Sequence, residues 1–343
     1  MTTFSRTPVP FSPLAEPRFV SGGANAARAA AAVAEDCEFL SCGRDALFRI
    51  SSLLEGRRAL WLPTYFCPAV VRGLSEFFDL KFFSDFPSEA SPRFETLKPR
   101  AGELVLAVNF FGLRDRRLWE AWRAQNPGVL LAEDHTHAPF SDWAKDSVAD
   151  YAFASLRKYL PIPDGAYLRG VAVSPAPLFR RGGGMADFAA DALAAAALLA
   201  LRGEWSQEAE ELYYRAEAKL NARKSASRIS SYSLAVLRRL DVGALESARS
   251  ANMSAFLSAW RDCAGRRLVG AKFCPLVKFD DRRACASACA KLSEAGVRLP
   301  VYWGGFGRDS GAELLEEAQT LVSVPLDFRH SQSDAAKLAA LLS

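Results

Sequence analysis

Residues 104–111 read Leu-Val-Leu-Ala-Val-Asn-Phe-Phe, an apolar run broken only by Asn109. A half-exposed strand alternates apolar and polar residues. A run apolar on both sides is a strand covered on both faces, as in a parallel sheet. Working outward, Arg114 to Gln125 carries apolar positions at helical spacing, and Val129 to Ala132 is a second short apolar run. Upstream stand strand-like segments at Cys37 to Cys42, Ala59 to Leu62 and Leu80 to Phe83. Between them lie helical patterns at Arg44 to Leu54 and from Pro68 to about Phe78. Downstream follow Ala152 to Leu156 and Tyr167 to Val173. Strands that alternate with helices imply crossover units and a mostly parallel α/β sheet with helices on both faces.

The rest of the chain is organised differently. A proline-containing arm precedes an alanine-rich helix at Ala24 to Ala34. From Met185 to Trp260 the pattern is helical, with breaks near Gly203 and Val242. Then come a strand at Leu276 to Phe279, a helix from Asp281 to Ala295, strands near Pro300 to Trp303 and Leu321 to Val324, and a helix from Asp334 to Leu342. The expected organisation is an N-terminal arm (1–25), a large domain (26–245) and a small C-terminal α+β domain (246–343). With 343 residues, half of them hydrophobic and 24% charged, the chain buries a large core and is not disordered. Its 43 basic and 39 acidic residues are interleaved, which argues against a nucleic-acid partner. The apolar stretch Phe188 to Leu201 carries Asp191 and is too short for a membrane span. Met1 to Pro13 is polar rather than basic and then apolar, so no secretory signal is expected. Seven scattered cysteines without a CxxC pair read as reduced thiols in a cytoplasmic protein.

Open parallel sheets bind ligands beyond the carboxyl ends of their strands. Four such junctions stand out. Ser41-Cys42-Gly43-Arg44-Asp45 runs from a strand through glycine into a helix start, where backbone N–H groups attract an anion. Tyr65 and Phe66 offer rings that stack on a flat ligand or bury apolar area. Glu133-Asp134-His135-Thr136-His137 reads either as a metal site, with His135 and His137 on one side of a strand, or as a carboxylate that neutralises a cationic ligand. In Ser155-Leu-Arg-Lys158, a lysine in a covered crevice is costly to keep charged, and the neutral amine attacks carbonyls. Taken together, the four meet the needs of pyridoxal phosphate (PLP). They supply an anion-binding helix start with Ser155, a stacking aromatic, a carboxylate for the pyridinium nitrogen and a lysine for the aldehyde.

From about Phe39 to the C-terminus the chain resembles the fold-type I PLP enzymes, and among them the DegT/DnrJ/StrS sugar aminotransferases. The resemblance rests on Ser41-Cys42-Gly43, Glu133-Asp134, the segment Ser155 to Gly165 (SLRKYLPIPDG), Ser227-Arg228-Ile229-Ser230 to Leu240, and Val324 to His330. It implies Asp134 as the pyridinium partner, Lys158 as the Schiff-base lysine, Ser155 with Gly43 and Arg44 at the phosphate, Tyr65 or Phe66 over the ring, and His137 near the ring hydroxyl. It also implies a homodimer in which the Arg228 segment reaches the neighbour's phosphate, Asn221, Ser225 or Ser227 replacing the family's usual asparagine. The implied reaction moves an amino group from an amino acid donor to a keto acceptor, a nucleotide-linked keto-sugar. Three departures stand out: Arg44-Asp45 after Gly43, Gly165-Ala166 in place of a double glycine, and Ala226 where the family has asparagine. They leave open a PLP lyase or condensation, or a non-catalytic subunit. A metal-dependent hydrolase on His135 and His137 is the remaining alternative.

Overall fold

The computed structural model describes residues 15–20, 37–56, 58–173, 183–203, 205–299, 306 and 310–342. The expected helix at Ala24 to Ala34 and the strand near Pro300 to Trp303 lie outside the described residues. In chain order the first half consists of β1 (Glu38–Leu40), α1 (Gly43–Leu53), β2 (Arg58–Pro63), α2 (Pro68–Leu74), β3 (Phe78–Phe83), β4 (Leu104–Val108), α3 (Arg116–Gln125), β5 (Leu130–Asp134), α4 (Asp142–Lys145), β6 (Tyr151–Ala154) and β7 (Ala166–Gly170). The seven strands form one sheet in the order β1-β7-β6-β5-β4-β2-β3. β2 to β6 pair parallel, and β7 runs antiparallel to both β6 and β1. Two reversals cancel. β1 therefore points the same way as the parallel set, and its carboxyl end opens at the same edge.

The apolar run that marked this sheet is buried along all of β4. It does not remain a strand to Phe111, however. After Val108 the chain enters a single 3-10 turn in which Phe111 is left-handed (φ 51°), so that its N–H reaches His137. α2 also stops earlier than expected, at Leu74. Phe77 turns back to it and packs its ring on Phe48, and Phe78 begins β3.

The second half begins with α5 (Asp187–Arg202) and α6 (Gln207–Asn221), which pack on one another and share the Asp191 ion pairs with Arg215 and Lys219. α7 (Ser231–Leu237) and α8 (Val242–Ala259) follow. The breaks expected near Gly203 and Val242 are present. A third break, at 222–230, contains neither glycine nor proline. Tertiary acceptors pull it straight: Ser227 N–H donates to Asp45, Ile229 N–H to the Phe39 carbonyl, and Ser230 N–H to Asp164. The chain ends with β8 (Arg266–Ala271), β9 (Pro275–Phe279), α9 (Arg282–Glu294), α10 (Ala312–Thr320), β10 (Leu321–Ser323) and α11 (Gln332–Leu342). Their antiparallel sheet, β10-β9-β8, shares a core with α8, α9 and α11 around Phe256, Val277, Leu292 and Leu338. β8 escaped the sequence reading because no residue in it is fully buried and a bulge interrupts it between Leu268 and Gly270. Among the described residues no helix is long and apolar enough to cross a membrane.

Asp164, in the turn before β7, is wholly buried and accepts from Ser230 N–H (2.8 Å), from Ser230 Oγ (2.6 Å) and from Ser233 Oγ. Asp164→Ala strands these donors and is expected to cost about 3 kcal/mol of stability. Urea unfolding midpoints check this, and an unchanged midpoint contradicts it.

Candidate active site

Register places the site. Val108 pairs with Asp134 across β4 and β5, and Asp134 with Phe153 across β5 and β6, so Asn109, Asp134 and Ser155 leave the sheet side by side. β1 ends at the same edge and hands the chain to Gly43. These residues line one cavity of about 1180 Å³, which has room for a cofactor and a substrate together. Of the residues expected at the site, Gly43, Arg44, Phe66, Asp134, His137, Ser155, Lys158 and Asn221 line it. Two do not. Tyr65 is buried against Phe110 and Phe306, and Arg228 is exposed outside the cavity.

Gly43 opens α1 against Ser155. A Cβ on it would stand 3.0 Å from the Ser155 Cβ, closer than ordinary packing allows. Cys42, which precedes α1, gives no side-chain cap, so the first amides of the helix face the cavity without a side-chain acceptor of their own. Arg44 is buried and donates to the Leu220 carbonyl (2.7 Å) and to Asn221 Oδ1 (2.8 Å), fastening the end of α6 to the start of α1. Asn221 thus sits in the cavity of its own chain.

Asp134 ends β5, and its Oδ1 accepts from Thr136 N–H at 2.9 Å. Burial pushes its carboxyl above the usual range, opposed by the Thr136 hydrogen bonds and the Lys158 charge. Thr136 Oγ1 in turn accepts from Ser155 N–H at 3.0 Å and ties the two strand ends together. Lys158 closes the 3-10 turn Leu156–Lys158, half-buried, with its charge felt by both Asp134 and His137.

The two histidines part company. Because β5 ends at Asp134, strand alternation no longer governs residues 135–137, and the one-sided pair expected of a strand does not form. His135 is buried with its Nε2 3.0 Å from Glu133 and its ring edge-on to Trp143. His137 stacks on Phe273, centroids 4.5 Å apart at 16°, and its Nδ1 accepts from Phe111 N–H at 3.1 Å. Among the described residues no three His, Cys, Asp or Glu side chains are grouped to hold a metal ion.

Three contributors were not singled out from the sequence. Asn109 lines the cavity with its Oδ1 buried and, among the described residues, without a hydrogen-bond partner; as the one polar residue ending an apolar run, it was the most legible of the three. Arg157 lines the cavity beside Glu217. Asp45, wholly buried, braces the start of α1, and nothing local in the sequence announces that role.

Burial and the Lys158 charge hold His137 neutral well below its ordinary range, and the Phe111 N–H puts the ring proton on Nε2. The unfolded chain protonates this ring near pH ~6.5, so below that pH the unfolded state binds more protons and the native state loses stability. His137→Gln removes this contribution. Between about pH 7.5 and about pH 5.5 the wild type is expected to lose more stability than the variant. Equal losses in urea titrations contradict this assignment.

No family model and no curated protein matches this chain; the likeness is to solved structures. The aminotransferase TlmJ from Streptoalloteichus hindustanus is 18% identical, with a TM-score of 0.63 over 95% of this chain and 91% of that one. AtS13 from Actinomadura melliaura is 15% identical, with a TM-score of 0.64 over 98% of each chain. A DegT DnrJ EryC1 StrS aminotransferase from Brucella abortus is 15% identical, with a TM-score of 0.60 over 95% of this chain and 91% of that one. The PLP form of Spr1654 from Streptococcus pneumoniae is 11% identical, with a TM-score of 0.64 over 97% of each. At these identities the likeness is one of fold: nearly the whole chain adopts the α/β fold of these aminotransferases.

Proposed function

We propose that the chain binds PLP and transfers an amino group from an amino acid donor to a keto acceptor, a nucleotide-linked keto-sugar. The observation that carries the reading is the meeting of Gly43, Asp134, Ser155 and Lys158 on one cavity, delivered by strands far apart in sequence. The residues present suit the cofactor. The side-chain-free face of Gly43 against Ser155 and the uncapped start of α1 suit a phosphate, and Asp134 suits a cationic ring nitrogen. The fold shared with aminotransferases, among them a structure in its PLP form, supports the same reading.

When bound, PLP supplies a ring that withdraws electrons from a carbon losing its proton. The protein's own groups do the rest. Ser155 and the first amides of α1 would hold the phosphate, and Phe66 would lie at the ring. Asp134, whose burial raises its carboxyl, would be ionised by pairing with the cationic ring nitrogen. His137, fixed as the Nε2–H tautomer, would be the donor available to the ring hydroxyl. Lys158 would hold the aldehyde and would be the group that moves the proton at the substrate carbon. Arg44 and Asn221 stiffen the phosphate end from α6.

Borohydride reduction of the PLP-loaded protein is expected to leave a pyridoxyl group on Lys158, located by peptide mass mapping, in the wild type and in Asp134→Asn alike. Amino transfer should nevertheless fall by orders of magnitude in Asp134→Asn, because aldehyde capture does not need a protonated ring and the transfer does. An adduct on another lysine, or near-normal turnover in the variant, contradicts the proposal.

We also propose a homodimer, since the exposed Arg228 and the neighbouring half-exposed Tyr232 lie on an outer surface of the single chain, in the segment expected to reach a partner. Sedimentation velocity is expected to give the mass of two chains. A monomer with full cofactor occupancy contradicts this.

A further inference from the structure

Cys285 and Cys289 stand four residues apart on α9, on adjacent turns of one helical face. Their surroundings differ. Cys285 is buried in the apolar core around Phe256, Val277 and Leu292. Cys289 is half-buried and lines the cavity together with Ser293, Val297 and Leu299. The Cys285 S–H donates to the Cys289 sulfur, which draws the Cys289 thiol below its ordinary value and raises that of Cys285. A thiol lowered in this way is the better nucleophile near neutral pH. No role in the proposed amino transfer falls on either thiol.

The helix decides what the pair can take. Residues four apart on a helix hold their Cβ atoms about 5–6 Å apart, whereas a disulfide draws them to about 3.5–4.5 Å. A direct sulfur–sulfur bond therefore requires α9 to distort, and an atom inserted between the two sulfurs spans the wider gap. Zinc takes four ligands, and among the described residues no third His, Cys, Asp or Glu joins the pair. A cuprous ion held by two thiolates leaves a net negative charge at the edge of an apolar core. Lys278, whose charge is felt by Cys285, is already paired with Glu317. Trivalent arsenic bearing one organic group needs only two thiols, and its adduct with them is neutral.

We propose that Cys285 and Cys289 form a chelating dithiol site for trivalent organoarsenicals, entered from the cavity. Cys289 captures the arsenic first, and Cys285, one turn away, closes the ring. With phenylarsine oxide, two arsenic–sulfur bonds replace the arsenic–oxygen bond. The oxygen leaves as water with the two thiol protons, and arsenic stays trivalent. The second bond forms within one molecule, so a free monothiol competes with it poorly.

The test uses the full-length reduced protein and an equimolar amount of phenylarsine oxide. Neither PLP nor an amino donor takes part, so its result is separate from that of the aminotransferase reading. The intact mass is expected to rise by one phenylarsenic group less two hydrogens. The adduct is expected to survive excess 2-mercaptoethanol and to be removed by 2,3-dimercaptopropanol. Tryptic mapping is expected to place it on residues 284–291, which carry both thiols. Cys285→Ser and Cys289→Ser are each expected to lower the fraction that survives the monothiol by about tenfold or more. Cys263→Ser, at the exposed thiol, leaves that fraction unchanged. No adduct, an adduct displaced by 2-mercaptoethanol, or one mapped elsewhere, such as to residues 29–44 with Cys37 and Cys42, overturns the proposal. The wild-type map decides even where a serine variant fails to fold.

Discussion

Donors from four residues converge on Asp45, a carboxylate with no access to solvent. Ser41 Oγ lies 2.5 Å away, Arg223 donates at 2.8 Å, Ser227 N–H at 3.0 Å and the Cys42 thiol at 3.4 Å. A buried carboxylate is tolerable only with such a complete set of partners, and losing one leaves an uncompensated charge. Its placement governs much else. It fixes the strand-to-helix turn at Ser41 to Gly43, straightens the 222–230 segment against β1, and thereby sets where α6 can end. Arg44 then takes the Leu220 carbonyl and the Asn221 side-chain oxygen at the end of α6, so the floor and the far wall of the cavity hang from consecutive residues of one helix start.

A second tie joins the two sheets. Phe273, in the turn between β8 and β9, stacks on His137, donates its N–H to the Phe111 carbonyl (3.2 Å) and offers its own carbonyl to Arg249 of α8. Arg249 also donates to the Tyr159 carbonyl at 3.2 Å and lies over the Tyr159 ring, 4.1 Å from its centroid. Tyr159 follows Lys158 directly. The residue that follows the lysine is thus held from α8, while Lys158 itself lines the cavity at the edge of the larger sheet.

The sequence made the sheet and the floor of the site legible for a common reason. β4 is apolar because it is covered on both faces, and Gly43, Asp134, Ser155 and Lys158 are conspicuous because they follow apolar strands, where polar residues have no packing role. Features set by distant partners were not legible. Nothing local distinguishes Tyr65 from Phe66, yet only Phe66 reaches the cavity. The His135 and His137 rings separate because β5 ends at Asp134, before either of them. Asp45 looked like a departure from a familiar motif, and it proved to be the anchor of the turn.

The reversal of β7 has a consequence for how the molecule is assembled. Leu40 pairs with Ala166, so the first strand of the sheet can dock only after every other strand of that sheet has been made. Contacts between such distant segments carry a large loop-closure cost and form late. Gly43 meets Ser155 only when that docking is complete. The Gly43 end of the cavity is therefore among the last parts of the chain to take shape, and a half-folded chain has Lys158 without the glycine turn that faces Ser155.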